Sequence, residues 1–114
     1  MKIIYVNRDH NSRTLAQRLL DENTYVASSG QEALELLNKH SDVGAVFTDV
    51  LIGQMSGYEL ARNVKDGYDI PVVAVTTENP STMAKYGAKS LFDKVITGFD
   101  DVDEFLAVAS RYIS

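Results

Sequence analysis

The sequence contains no cysteine, and its basic residues are outnumbered by its acidic ones. Without cysteine, the chain cannot form disulfides, thiolate nucleophiles or cysteine-based zinc sites. The 11 lysines and arginines stand against 16 aspartates and glutamates, which gives a formal net charge of -5. Nucleic acids and anionic membranes bind clustered cations, so neither is expected as a partner.

Long apolar segments are missing as well. No run approaches the ~20 residues that a membrane-spanning helix needs. The apolar start of the chain is interrupted at Asn7 and is too short for the core of a signal peptide. The sequence therefore predicts a soluble, cytoplasmic protein.

Several motifs of enzymes and binding proteins are absent. No glycine-rich phosphate loop follows the first apolar segment, which weighs against nucleotide or flavin binding. Asp49 is followed by Val50 and Leu51, without the second aspartate of a haloacid-dehalogenase-type phosphatase. His10 and His40 have no histidine or glutamate at metal-ligand spacing. Because only Asp49 is poised as a nucleophile, the sequence does not predict an enzyme.

Short apolar runs alternate with segments of helical spacing along the 114 residues, a length that suits one domain. Near-continuous apolar runs are typical of parallel strands that are covered on both faces. Four such runs predict strands at residues 3–6, 24–27, 45–48 and 72–75, and a weaker one predicts a fifth strand at 90–93.

The intervening segments carry apolar residues at helical spacing, behind residues that commonly cap helices. Gly87 is expected to end the fourth helix, and the last helix is expected at about residues 101–112. The predicted capping residues are Asn11 or Ser12, then Ser29, Ser56 and Asn79.

Five successive strand–helix units predict an α/β domain with a parallel sheet and right-handed crossovers. In such sheets, functional sites lie beyond the carboxyl ends of the strands. The polar residues that follow or close a predicted strand are Asn7, Arg8, Asp9, Asp49, Thr76 and Lys94.

Four motifs, in order and at matching spacing, resemble the receiver domain of response regulators over nearly the whole chain. Asp49, with Met55 and Gly57 after it, resembles the phosphoacceptor strand and its loop. The other three are residues 31–34 at the start of the second helix, residues 70–76 ending in Thr76, and the pair Gly87-Ala88 with Lys94 seven residues after the glycine.

This resemblance implies a single receiver domain over residues 1–114. It also implies a flavodoxin-like (βα)5 fold with helices on both faces of a sheet in strand order 2-1-3-4-5. Asp49 would be the phosphoacceptor, with Thr76 and Lys94 placed to contact the phosphoryl oxygens. The family also uses a divalent metal, held by the acceptor and by two acidic residues after the first strand. The implied setting is bacterial two-component signalling.

The acidic pair is where the chain departs from this family. The two positions are occupied by Asn7 and Arg8, a neutral amide and a permanent cation. We expect Arg8 to form a bidentate pair with Asp49 and to fill the space of a phosphoryl group. No cofactor is therefore predicted, and Mg²⁺ binding is expected to be weak or absent.

Further departures affect the region after Thr76. The segment from Thr76 to Gly87 is about one helical turn shorter than usual, and residues 96–100 resemble a compensating insertion. Leu91 replaces the usual aromatic switch residue. The partner that the family contacts through the fourth helix and fifth strand is therefore expected to be a different one.

Two functions remain in competition. In the first, the chain is a phosphorylation-impaired interaction module that binds a histidine kinase, a downstream signalling protein or a second copy of itself. In the second, Asp49 takes phosphate from a histidine kinase and loses it slowly. Two simpler possibilities also stay open: Asp49 could belong to a structural ion pair only, or Asp9 could turn inward and restore a metal ligand.

Overall fold

The computed structural model describes residues 1–113 and contains a five-stranded sheet. All four strand pairings are parallel, and the strand order is β2-β1-β3-β4-β5, as predicted. The last residue of the predicted domain, Ser114, lies outside the described residues. The strands are β1 (Lys2–Val6), β2 (Thr24–Ala27), β3 (Val43–Thr48), β4 (Val72–Val75) and β5 (Lys94–Ile96).

Within residues 1–113, six α-helices and one short 3-10 turn (Asp21–Asn23) lie between or after the strands. No helix in the described part of the chain is long and apolar enough to cross a bilayer. The helices are α1 (His10–Leu20), α2 (Gly30–Lys39), α3 (Gly57–Gly67), α4 (Pro80–Lys85), α5 (Ala88–Leu91) and α6 (Val102–Ile113).

Three of the four predicted helix caps are confirmed. The side chains of Ser29, Ser56 and Asn79 accept hydrogen bonds from first-turn amides of α2, α3 and α4. The prediction for α1 was wrong, because the cap is Asp9, whose carboxylate accepts from the Ser12 amide at 2.9 Å. An aspartate two residues upstream of Asn11 caps as well as Asn or Ser does, so residue type alone did not separate them.

Two apolar clusters cover the two faces of the sheet, because successive strand residues point to opposite faces. On one face, Ile4 and Val6 pack with residues of α2, α3, α4 and α5. On the other face, Ile3 and Tyr5 pack with residues of α1 and α6. The sheet therefore lies between two helical layers, and its carboxyl end stays open to polar side chains.

The prediction for the fifth strand was wrong by four residues. Strand β5 begins at Lys94, whereas Ser90 and Leu91 belong to α5. Gly87 ends α4 in the left-handed conformation, with φ of 77°, but a new helical turn starts directly after it. This turn buries Leu91 in the cluster that also contains residues of α3, α4, β3 and β4. Burial in a helical turn therefore explains the apolar residues that predict a strand here.

Candidate functional site

The predicted site corresponds to a small cavity of about 190 Å³ at the carboxyl end of the sheet. Asp49, Thr76 and Asn7 all line it, as the topology of a parallel sheet predicts. The structure therefore brings together three of the five residues proposed from the sequence. The remaining lining residues are Tyr5, Ser12, Val75, Thr77, Thr97, Gly98, Phe99 and Asp100.

Asp49 is half-buried and is held by its own loop. Its amide donates to the Val6 carbonyl at 3.1 Å, which joins the end of β3 to the end of β1. Its Oδ1 accepts from the Val50 amide at 2.6 Å. One carboxylate oxygen is thus turned back onto the backbone.

Gly57 closes this loop from the other side. Its amide donates to the Val50 carbonyl at 2.9 Å. A β-carbon at position 57 would lie only 2.2 Å from the Asp49 carbonyl oxygen, so no other residue fits without a backbone shift. The position of Asp49 therefore depends on a residue without a side chain at the start of α3.

Thr76 directly follows β4 and is buried. Its amide donates to the Ile96 carbonyl at 2.9 Å, and its Oγ1 accepts from the Glu78 amide at 3.1 Å. The hydroxyl proton remains available to a group in the cavity. Thr76 is therefore placed where the sequence predicted it.

Both the oxygen and the nitrogen of the Asn7 side-chain amide form hydrogen bonds within the protein. Its Oδ1 accepts from the Asp9 amide at 2.9 Å, and its Nδ2 donates to the Tyr5 hydroxyl at 3.3 Å. Its carbonyl also accepts from Arg13 Nη1 at 2.8 Å. Asn7 thus organises the turn between β1 and α1, and its amide oxygen faces a backbone N–H.

The predicted ion pair between Arg8 and Asp49 was wrong. Arg8 is exposed, and the one salt bridge within residues 1–113 joins Lys65 to Asp93. Because side chains alternate at the end of a strand, the inward position of Asn7 directs Arg8 outward. The cation expected to fill the pocket lies outside it.

Asp9 does not take over the role of a metal ligand. Its Oδ2 accepts from both the amide and the hydroxyl of Ser12, each at 2.9 Å. These bonds lower the pKa of Asp9, as the capped end of a helix stabilises a carboxylate. Asp9 is exposed and does not line the cavity.

Lys94 does not line the cavity either, so its predicted place beside Asp49 was wrong. It is the first residue of β5 and pairs with Val73, whereas the carboxyl end of that strand is Ile96. At about 3.3 Å per residue, its Cα lies roughly 7 Å back along the strand from that end. Thr97, which follows β5 as Thr76 follows β4, lines the cavity instead. Of residues 96–100, which resemble an insertion in the sequence, Ile96 ends β5 and the other four line the cavity.

Tyr5 is a site residue that sequence reasoning missed. Its burial raises the pKa of the hydroxyl to about 12; the hydrogen bond from Asn7 opposes this rise, and the nearby charges of Asp49 and Asp9 add to it. The ring packs against Phe99 and Phe105, with centroids 5.8 and 6.2 Å away. A tyrosine within an apolar strand looks like a core residue, and no local signal showed that its hydroxyl reaches the site.

The residues present do not fit a divalent metal. Mg²⁺ needs several oxygen ligands, preferably carboxylates, in near-octahedral geometry. The part of the chain that the structure describes has no group of three or more His, Asp or Glu side chains that could hold such an ion. Asn7, which could supply an amide oxygen, already accepts from Asp9.

The comparison with protein families agrees with this architecture. The model of the response regulator receiver domain matches residues 3–107. The chain is 33% identical over 93 residues to the heme response regulator HssR of Staphylococcus saprophyticus, which covers 78% of this chain and 41% of the relative. It is 44% identical over 57 residues to the two-component response regulator ORR5 of Oryza sativa subsp. japonica, covering 47% of this chain and 42% of the relative. The chain spans about two fifths of the length of these relatives.

Solved structures share the fold at lower sequence identity. A response regulator receiver domain protein from Clostridium thermocellum superimposes with a TM-score of 0.86 at 18% identity, covering 98% of this chain and 93% of the other. The chemotaxis protein CheY4 of Vibrio cholerae gives a TM-score of 0.85 at 20% identity, with 97% of both chains covered. Because the curated relatives come from bacteria and from rice, a bacterial source for this chain stays a prediction.

Proposed function

The chain belongs to the response regulator receiver domain family, and from this premise we propose that it is a phosphorylation-impaired receiver that acts as a protein-interaction module. Its output would then be independent of a phosphoryl group on Asp49. The proposal keeps the two-component setting of the family and changes only the chemistry of the site.

The observation that carries this proposal is the charge of the cavity around Asp49. None of the residues that line it is a lysine or an arginine, and Asp100 adds a second carboxylate. Transfer of a phosphoryl group to a carboxylate brings two anions together, and it needs positive charge where the phosphoryl oxygens lie. Here Thr76, Thr77 and Thr97 offer hydrogen bonds but no charge.

The two positions of the family's acidic pair also contribute to this lack of positive charge, but not in the way that the sequence suggested. Arg8 does not block the cavity, since its side chain is exposed. Without carboxylates at positions 7 and 8, the site lacks ligands for a metal cation. Thr97, which follows β5, supplies no charge of its own. We therefore propose that Mg²⁺ binds weakly or not at all, and that the chain needs no other cofactor.

Phosphorylation of Asp49 by a histidine kinase is the competing function. It is favoured by one observation, namely that Asp49 and Thr76 line the same cavity. Without a cation or a metal ligand beside them, these two groups provide the nucleophile and one hydrogen-bond donor. We consider this insufficient for efficient transfer, for the electrostatic reason given above.

A protein partner follows from the proposed role. We propose a histidine kinase or a downstream signalling protein as that partner, with self-association as a further form, and the cytoplasm as the location. The formal charge of -5 offers no basis for binding nucleic acid or an anionic membrane through this domain.

The test is a titration with Mg²⁺ and beryllium fluoride, a mimic of the phosphoryl group, followed by NMR of the backbone amides of Asp49, Val50 and Thr76. We expect no saturable shift at millimolar Mg²⁺. Saturable shifts centred on these amides would overturn the proposal and favour the phosphoacceptor function. A receiver with an intact acidic pair, titrated in parallel, verifies that the mimic has formed.

A further inference from the structure

Residues 97–100, between β5 and α6, form one wall of the cavity around Asp49. All four of them line this cavity. Its volume of about 190 Å³ is below the roughly 300–1,000 Å³ of typical small-molecule sites in proteins. A short segment of chain therefore limits the space beside the Asp49 carboxylate. We call residues 97–100 the strap.

No hydrogen bond holds the strap in place. Within residues 1–113, no backbone or side-chain group of residues 97–100 donates to or accepts from another protein group. The residues on either side are bonded: the Ile96 carbonyl accepts from the Thr76 amide at 2.9 Å, and the Asp101 carboxylate accepts from the Glu104 amide at 3.0 Å. Segments without internal hydrogen bonds open locally at a low cost in free energy.

A single aromatic ring anchors the strap to the core. Phe99 is half-buried and packs against Phe105 and Tyr5, with ring centroids 4.9 and 5.8 Å away, distances at which aromatic rings attract each other. Both partners belong to the core, since Tyr5 is 1% and Phe105 is 0% exposed. Thr97 and Asp100, by contrast, are exposed. The packing of Phe99 therefore holds the strap in its closed position.

The strap also brings a negative charge to the cavity. Asp100 and Asp49 are the two carboxylates among the lining residues, and no lysine or arginine lines the cavity. An approaching anion is repelled by both carboxylates, although solvent and salt weaken this repulsion. The closed strap is therefore a greater obstacle to an anionic reagent than to a neutral one of the same size.

From these contacts we propose that residues 97–100 are an autoinhibitory strap, which Phe99 anchors and which slows the access of anionic phosphodonors to Asp49. The strap opens when the Phe99 ring leaves the surface of Tyr5 and Phe105. Access is slowed and not abolished, because a segment with one anchor opens transiently. This inference rests on the proposed function, to which it adds a barrier that does not depend on the missing cation.

The experiment uses the absence of cysteine, since one introduced thiol is then the only one in the chain. Asp49→Cys places it at the site, and its rate of alkylation by iodoacetamide is measured with and without Phe99→Ala. We expect Phe99→Ala to raise this rate about tenfold, because it removes the single anchor of the strap. Phe99→Leu keeps an apolar side chain and should raise the rate less. Rates measured from about pH 7 to pH 10 separate access to the thiol from its ionisation.

Two further cysteine positions separate opening of the strap from unfolding of the domain. Leu51→Cys, at a residue that is 57% exposed, should react fast whether or not Phe99 is replaced. Ala33→Cys, at a residue of α2 that is 0% exposed, should react only when the whole domain unfolds. An unchanged rate at position 49 in Phe99→Ala would overturn the proposal. An equal rise at position 33 would also overturn it, because Phe99 would then only stabilise the fold.

A second reagent tests the charge on the strap. Iodoacetate is close to iodoacetamide in shape but carries a negative charge. In the Asp49→Cys background, Asp100→Asn should raise the rate with iodoacetate about threefold and leave the rate with iodoacetamide unchanged. Equal changes for the two reagents would contradict the role of Asp100. Because none of these measurements uses a phosphodonor or Mg²⁺, failure of the strap proposal is distinguishable from failure of the proposed function, which the beryllium fluoride titration tests.

Discussion

Asp93 and Val72 exchange two hydrogen bonds across the start of strands β4 and β5. The Asp93 amide donates to the Val72 carbonyl at 2.8 Å, and the Val72 amide donates to Asp93 Oδ2, also at 2.8 Å. The same Oδ2 accepts from Lys65 Nζ of α3 at 3.0 Å. This reciprocal pair sets the register of the edge strand, and it explains why β5 begins at Lys94.

The first prediction concerns the stability that this pair provides. Asp93→Ala removes the acceptor of the Val72 amide and should lower the free energy of unfolding by about 1.5 kcal/mol. Asp93→Asn keeps an oxygen of similar position and should cost less, as should Lys65→Met, because partly exposed ion pairs contribute about 0–1 kcal/mol. Urea unfolding measures all three. Equal losses for the Ala and Asn variants would mean that charge, and not the hydrogen bond to Val72, provides the stability.

The second prediction is the pH dependence of the same contribution. Burial of Asp93 acts to raise its pKa, but the hydrogen bonds from Val72 and Lys65 outweigh it, so the pKa is lowered. Near pH 4, where an aspartate of the unfolded chain titrates, the unfolded chain then binds more protons at this position than the folded protein does. The stability from Asp93 is therefore complete above that pH and is lost as the pH falls through the lowered pKa.

The measurement is the difference in unfolding free energy between the parent and Asp93→Ala along a series of pH values. We expect a constant difference from about pH 5 to pH 8 and a steady decrease below about pH 4. A difference that grows on acidification would contradict the assigned direction of the shift.

The third prediction tests the close contact under Asp49. Gly57→Ala places a β-carbon 2.2 Å from the Asp49 carbonyl oxygen and 2.8 Å from the Val50 Cα, both backbone atoms that cannot rotate away. We expect a loss of about 2–3 kcal/mol in unfolding free energy and altered amide shifts at Asp49.

Gly67→Ala is the matched control, since an added β-carbon there meets nothing within 4 Å. Gly67 ends the same helix and has no positive φ, so alanine should be neutral or slightly stabilising. A neutral result for both variants would show that the loop relaxes without cost, and that Gly57 does not position Asp49.

The fourth prediction is that the missing chemistry can be rebuilt. Asn7→Asp with Arg8→Asp supplies two carboxylates directly after β1, the first of them at cavity-lining position 7, and should create millimolar Mg²⁺ affinity, measured through the amides of residues 7–9 and 49–50. Arg8→Ala alone should gain nothing, because the exposed Arg8 does not block the cavity. Arg8→Asp alone should gain little, because Asn7 Oδ1 remains hydrogen-bonded to Asp9.

Thr97→Lys adds the cation at the end of β5, and only this triple variant is expected to take up phosphate from acetyl phosphate, detected by the mass of the intact protein. Lys94→Ala in the same background should leave the reaction unchanged, because Lys94 does not line the cavity. A parent protein that is labelled as fast as the triple variant would contradict both the rebuilt chemistry and the proposed loss of phosphorylation.

Local patterns in the sequence were enough to predict most of the fold. The apolar runs at β1 to β4 and the caps Ser29, Ser56 and Asn79 each involve residues within a few positions of one another. Such patterns can be recognised without knowledge of the tertiary structure, because a strand or a helical turn is formed by residues that are neighbours along the chain. The sheet order and the position of Asp49 then followed from the resemblance and from the topology of parallel sheets.

The tertiary structure alone decided which polar residues reach Asp49. The register of β5 is set by a contact between Asp93 and Val72, which are 21 residues apart, so counting from Gly87 placed Lys94 at the wrong end of its strand. The outward direction of Arg8 depends on the inward hydrogen bonds of Asn7 to Tyr5 and Asp9. Local residue types identified Asp49 as the central carboxylate of the candidate site, whereas contacts distant in sequence decided the charge around it. The reason is that charge at a site depends on positions in space and not on order along the chain.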